Sequence, residues 1–237
     1  QPDKRSRIGS LDGVYTREHG ASVVKAITTV IIGAGQGGTP LAKKLGEAGF
    51  KTALIEKRWV GGTCVNDGCT PTKAMIASAK MVERIRQSAE LGITVSKSEV
   101  KIETIIERQQ KIVASFRDGS EKKLHSAKNL ELIYGDASFT GKKEIRIKLN
   151  DGSIEEATAK QIFIDTGTRP AIPEIDGLND IPYLTSTSIL NLKSLPEHLL
   201  IVGSGYVGLE FGQMYSRFGS KVTILERSER ILKKEDE

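Results

Sequence analysis

Two six-residue segments, 170 positions apart, share one glycine pattern: Gly33-Ala34-Gly35-Gln36-Gly37-Gly38 and Gly203-Ser204-Gly205-Tyr206-Val207-Gly208. The register continues beyond the glycines. Gly49, Lys51 and Glu56 recur at the same offset as Gly219, Lys221 and Glu226. A repeat of this kind restricts the chain to architectures that contain one structural unit twice. Each copy opens with a short apolar run (27–32 and 199–202), passes through the glycines into a helical period, and ends in a second apolar run (52–56 and 222–226). For the helices the marks are Leu41, Leu45 and Ala48 in the first copy, and Val207, Phe211, Met214 and Phe218 in the second. Strand, tight turn, helix and strand in about 30 residues is a βαβ crossover. The expected fold class is therefore α/β, with two successive Rossmann-type dinucleotide-binding units.

The turn chemistry has a physical rationale. Gly33 and Gly203 permit the tight turn, Gly35 and Gly205 admit a pyrophosphate close to the backbone, and Gly38 and Gly208 let the helix approach the strand. The helix N-terminus offers unpaired N–H groups and the positive end of a dipole. In each copy an acid follows the first glycine by 23 residues, Glu56 and Glu226, placed to accept hydrogen bonds from an adenosine ribose. A carboxylate at Glu226 disfavours the 2′-phosphate of NADP and favours NAD(H), whereas Arg227 and Arg230 are positioned to accept that phosphate, so both cofactors stay open.

Between the copies the pattern gives helices over 70–91 and 104–124. A β-hairpin follows, in which Ile145, Ile147 and Leu149 alternate with Arg146 and Lys148 before an Asn150-Asp151-Gly152 turn. Pro170, Pro173 and Pro182 mark a linker. The expected division is an N-terminal extension over 1–26, a first domain over 27–170, and the opening half of a second over 171–237.

Among 237 residues there are only two cysteines and three scattered histidines. A disulfide framework is excluded and no metal-ligand spacing is present, so no metal site is expected. The longest uncharged stretch, 26–42, is interrupted by glycines and Pro40, which no membrane-spanning helix of about 20 apolar residues tolerates. A net charge of +5 arises from 35 basic and 30 acidic residues, mixed along the chain as on a solvated surface rather than gathered for nucleic acid. The expected partners exclude nucleic acid and membrane, and the expected compartment is the cytoplasm.

The cysteines sit in Gly61-Gly62-Thr63-Cys64-Val65-Asn66-Asp67-Gly68-Cys69-Thr70-Pro71-Thr72-Lys73. Five residues apart in a regular helix, their Cα atoms would be about 8.5 Å from each other, too far for a disulfide, so pairing needs a break that Gly68 can supply. Pro71 suits the first turn of the following helix. A thiol at a helix N-terminus is expected to have a depressed pKa. Two readings stand on the residues alone: a redox pair beside the nucleotide phosphates, or two structural cysteines.

This segment resembles the active-site signature of the class I pyridine nucleotide-disulfide oxidoreductases, a family that includes dihydrolipoyl dehydrogenase, glutathione reductase and mercuric reductase. Its continuation through Ala74-Met75-Ile76-Ala77-Ser78-Ala79 most resembles mercuric reductase and its relatives. The resemblance implies FAD in the first unit, NAD(H) or less favourably NADP(H) in the second, and electron flow from NAD(P)H through flavin to Cys64 and Cys69. It makes Cys69 the thiol beside the flavin and Cys64 the outer thiol that meets substrate. Lys73 is implied to pair with Glu210, and Tyr206 to cover the nicotinamide pocket; the plain alternatives are surface charges and a helix-entry cap. Further flavin contacts are implied at Lys57, Gly62, Thr63, Gly68 and Lys73. Thr158 with Thr166-Gly167 matches the family's second flavin motif, and Gly135-Asp136-Ala137 its adenine-side loop. Val207 belongs to the nicotinamide turn.

Asp67 stands where an apolar residue is usual between the cysteines, and Asp165 replaces the small residue usual before Thr166-Gly167. The family is roughly twice this length, so the chain is expected to be an N-terminal portion of a homodimer whose dimerisation domain lies further on. The implied substrate is a disulfide, dihydrolipoamide or mercuric ion. A chain that binds dinucleotides without catalysis is the alternative of a different class.

Overall fold

The computed structural model describes residues 24–232, 235 and 236. Most of the expected N-terminal extension therefore lies outside the described residues. The chain forms two compact units, the first comprising the chain up to Gly62 together with Arg117–Gly167, the second Thr63–Phe116 together with the chain from Thr168.

In the first unit, β1 (Val24–Ile32), α1 (Gly38–Glu47) and β2 (Thr52–Glu56) form the expected crossover. β1 pairs in parallel with β2, and β2 with β3 (Leu130–Gly141). The hairpin β4 (Glu144–Leu149) and β5 (Ile154–Ile164) turns at Gly152, where φ is +90°. β3 pairs in parallel with β2 through Tyr134 and antiparallel with β4 from Gly135 onward. A Cβ at Gly135 would lie 2.7 Å from an Ile147 side-chain carbon and 2.8 Å from the Lys148 carbonyl, so the strand changes partners where no side chain fits. β5 pairs with β4 over its first residues and in parallel with β1 up to Ile164. These two long strands close the five into a ring.

Inside the ring lie Val30, Ala53, Ile55, Ile133, Ile145, Ile147, Ala157 and Ala159. On the outer side of the parallel strands, Ile31 and Leu54 pack with Ala42 of α1, Val60 and Leu124. Parallel strands covered on both faces explain why 52–55 is buried without interruption.

Three residues expected in an adenine-side loop, Gly135, Asp136 and Ala137, are instead inside β3. The segment before them, 130–134, which pairs with β2, continues directly into the antiparallel half of the same strand.

The second unit contains α2 from Thr63 (the helix spans Gly62–Asn66), α3 (Cys69–Gln87) and the first part of α4 (Ile102–His125). It also holds the second repeat: β6 (His198–Val202), α5 (Tyr206–Phe218) and β7 (Lys221–Leu225), with β6 and β7 parallel. Met75 and Ala79 of α3, Ile102 and Ile106 of α4, and Phe211, Met214, Tyr215 and Phe218 of α5 share one core. Buried Tyr215 donates its hydroxyl to the Ile189 carbonyl at 2.9 Å, and burial pushes its phenol up to about 12. Sequence order suggested a first domain running from 27 to 170; in space, residues 63–116 group with the later part of the chain.

Candidate functional site

The repeat survives as matched hydrogen bonds. Gly33 N–H donates to Ile55 O and Gly203 N–H to Leu225 O, both at 2.8 Å; Thr39 N–H donates to Gly35 O and Leu209 N–H to Gly205 O. Both first glycines have φ near +100°, +108° at Gly33 and +101° at Gly203, a backbone that glycine adopts without steric cost. A Cβ on Gly38 would lie 2.0 Å from the Gly33 carbonyl, and one on Gly208 2.3 Å from that of Gly203. Glycine is obligatory at both helix entries.

The acids repeat as well. Glu56 accepts from Ala34 N–H at 2.9 Å and Arg58 N–H at 2.7 Å. Glu226 accepts from Ser204 N–H at 3.0 Å, Ser204 Oγ at 2.6 Å and Ser228 N–H at 2.8 Å. The Ser204 hydroxyl first, then the two backbone donors, pull Glu226 down to about 2. A carboxylate has about four acceptor sites, so each acid retains capacity for a ribose hydroxyl. Lys57 follows Glu56 and pairs with Asp136 of β3 at 2.6 Å; Ala137 is the next strand residue. Thr166 and Gly167, with φ of +66° at Gly167, follow the end of β5, and Thr158 lies within that strand.

Gly62 ends the first unit at φ +58°, and a Cβ there would lie 2.8 Å from the Gly35 Cα. Backbone therefore packs on backbone beside the first turn, helped by Gly61 N–H donating to Ala34 O at 2.8 Å. The signature's double glycine is explained by this approach.

In the second unit the cysteines flank a helix break. Cys64 lies in α2, half-buried, and Cys69 is the exposed first residue of α3. Between them Gly68 adopts φ −140° and ψ −107°, with its would-be Cβ 3.0 Å from Thr63 O and 3.6 Å from Cys64 Cα. The break brings both thiols together as a free pair. Pro71 sits in the first turn of α3, as its sequence position suggests. Burial first, and the hydrogen-bonding Cys69 thiol second, push the Cys64 thiol up; the Cys69 backbone N–H opposes this in part. The depressed pKa expected near a helix N-terminus does not hold for Cys64: although it sits in the first turn of α2, burial and the Cys69 thiol outweigh that position.

Lys73 of α3 and Glu210 of α5 form an ion pair within the same unit. Tyr206 begins α5, exposed, and its hydroxyl donates to Glu235, which raises the phenol. Val207 is exposed beside it. A shallow pocket of about 390 Å³ is lined by Ser204, Gly205, Tyr206, Glu226, Arg227 and Arg230 among others. One contact was not foreseen: Asp165 Oδ2 accepts from Gly38 N–H at 2.5 Å. The departure at position 165 was the only signal for it.

Two matched glycine turns, each with an acid accepting from the turn's backbone, place the chain in the class of Rossmann-type dinucleotide-binding folds. The family profile described as pyridine nucleotide-disulphide oxidoreductase matches residues 27–237, and the chain belongs to that family. Its members use FAD and NAD(P)H. The chain is 37% identical to mercuric reductase of Lysinibacillus sphaericus over 87% of its own length and 37% of that protein. It is 38% identical to dihydrolipoyl dehydrogenase of Chlamydia trachomatis serovar D, over 88% of this chain and 44% of that one. Among solved structures, a Cu(II) complex of the HOCl-induced flavoprotein disulfide reductase RclA from Escherichia coli is 36% identical with a TM-score of 0.78, covering 90% of this chain and 45% of that one. The chain thus spans less than half the length of these relatives. Among the described residues no helix is long and apolar enough to cross a membrane.

Proposed function

We propose that the whole protein is a flavoprotein oxidoreductase that carries electrons from NAD(P)H through FAD to Cys64 and Cys69, and from them to a disulfide or a thiol-bound metal ion. The observation that carries this reading is the adjacency of the two free thiols across the Gly68 break. The backbone of the glycine turn after β1 and the N-terminus of α1 would hold the diphosphate of FAD, in the place where Gly38 N–H now donates to Asp165; Glu56, Lys57 and Asp136 would hold its adenosine. The second cradle, with Glu226, would hold the nicotinamide dinucleotide, its ionised carboxylate favouring NAD(H) over NADP(H). When bound, FAD supplies the two-electron relay that returns an oxidised cysteine pair to the dithiol.

The thiols do the rest. Cys64, deprotonated, attacks one sulfur of the substrate disulfide, breaking its S–S bond and forming a mixed disulfide; the leaving thiolate takes a proton. Cys69, deprotonated in turn, attacks Cys64 Sγ, breaks that mixed bond and releases the second thiolate, which is also protonated. The substrate gains two electrons and two protons, and Cys64 and Cys69 end joined. Lys73 and Glu210 tie α3 to α5 and so position the helix that starts at Cys69. Tyr206, released from Glu235, is the ring proposed to move over the nicotinamide site.

Relatives named for mercuric ion and for dihydrolipoyl substrates are about equally similar, so both acceptors enter the test. In the whole protein, Cys64→Ser and Cys69→Ser should each abolish NAD(P)H-driven reduction of disulfide and mercuric ion, while retaining FAD. Unchanged turnover in Cys64→Ser would remove the proposal and favour dinucleotide binding without thiol catalysis.

A further inference from the structure

We propose that Asp165 is an internal competitor for the phosphate position of the first dinucleotide turn, and so sets how tightly the first unit holds its dinucleotide. The inference rests on the reading of that unit as the FAD site. Asp165 ends the run of β5, where its N–H donates to Ile32 O at 2.8 Å. Its own carbonyl lies 2.1 Å from where a Gly33 Cβ would be. The backbone at 165 is thereby held against the glycine turn, and the side chain lies in the cradle. There Oδ2 accepts from Gly38 N–H at 2.5 Å, at the N-terminus of α1. Built Cβ atoms would lie 3.1 Å from both carboxylate oxygens at Gly37, 3.0 Å from Oδ2 at Gly38 and 3.7 Å from it at Gly35.

Gly38 N–H, at the N-terminus of α1, is one of the donors a phosphate would take, and Asp165 holds it. A diphosphate entering the first turn must therefore displace the carboxylate from Gly38 N–H and then remain beside its charge.

The test compares the whole protein with its Asp165→Asn variant, which keeps an acceptor for Gly38 N–H without the charge, and with Asp165→Ala, which empties the cradle. Binding of FAD and of inorganic pyrophosphate is measured by calorimetry at fixed ionic strength, with NADH as the control for the second turn. Both variants should bind FAD and pyrophosphate roughly tenfold or more tightly than the parent, with NADH affinity unchanged. FAD bound by Asp165→Asn as weakly as by the parent, or more weakly, overturns the role of Asp165 and leaves the flavin reading intact. Failure of parent and both variants to bind FAD or pyrophosphate overturns both.

Discussion

Glu226 shows what a single residue adds beyond the motif that contains it. Its carboxylate is drawn to about 2 from an ordinary 4.5 by donors of its own turn, the Ser204 hydroxyl foremost. A depressed folded-state value means that the ionised form favours the ordered turn. This contribution is complete above about pH 4.5 and fades as pH falls toward about 2. Urea unfolding followed over that interval should show the parent losing stability relative to Glu226→Gln, with the difference between them vanishing near the acid end. A difference that grew on acidification would contradict the hydrogen bonding described. The acid itself was legible as a spacing from Gly203, but its partners were not, because Ser204 and Ser228 are ordinary small polar residues in sequence. Gly62 illustrates the converse. Its glycine is visible, yet its reason, that a Cβ there would lie 2.8 Å from the Gly35 Cα, depends on a contact between residues 27 positions apart.

The repeated element is legible at a finer level than its glycines. Helix α1 ends with Gly49 N–H on Gly46 O and Phe50 N–H on Leu45 O; α5 ends with Gly219 N–H on Ser216 O and Ser220 N–H on Tyr215 O. Each bond in one copy is the other shifted by the same 170 positions. Gly49 has φ +88° and Gly219 φ +117°, and a Cβ at either would meet nothing within 4 Å. Replacement by alanine therefore costs only the backbone conformation, about 1–2 kcal/mol at each site. Chemical denaturation of Gly49→Ala and Gly219→Ala should give similar losses, and a large loss at one alone would break the equivalence of the two caps. Helix ends were readable because a C-terminal glycine is a local signal. The break between α2 and α3 was readable only as a need: Gly68 was identified as the place for it, whereas the short helix carrying Cys64 has no periodicity long enough to detect. Strand β3 was missed for a related reason, since Gly135-Asp136-Ala137 looks like a turn and only the partner strand β4 makes it a continuation.

Spatial grouping is the least local property of the chain, and sequence order misled there. The apolar faces of α3 and α4 could be read, but nothing in an apolar face says which part of the chain will cover it, and Met75 and Ile106 share their core with Phe211 and Met214. Ring closure in the first unit is equally non-local. The alternation over 144–149 shows that Ile145 and Ile147 face one side; it does not show that both long neighbours of β4 also belong to the parallel sheet. Their burial is complete, at 0% exposure for each, because the hairpin folds its apolar face over the inner side of β1 and β2, where Val30, Ala53 and Ile55 lie. Ile147→Ala should accordingly cost about 2–5 kcal/mol, and Ile147→Val about 0.5–1.5 kcal/mol. Ile154, exposed at the start of β5, should change stability by no more than about 0.5 kcal/mol when replaced by threonine. Urea denaturation, monitored by hydrogen exchange at β1 and β2 amides, distinguishes a closed ring from a loosely attached hairpin. In the ring, Ile147→Ala accelerates exchange in the parallel strands as well as in β4. Loss of protection in β4 and β5 residues 154–158 alone would mean that the hairpin is an appendage, and that the inner face of the parallel sheet is held by something other than the isoleucines of β4.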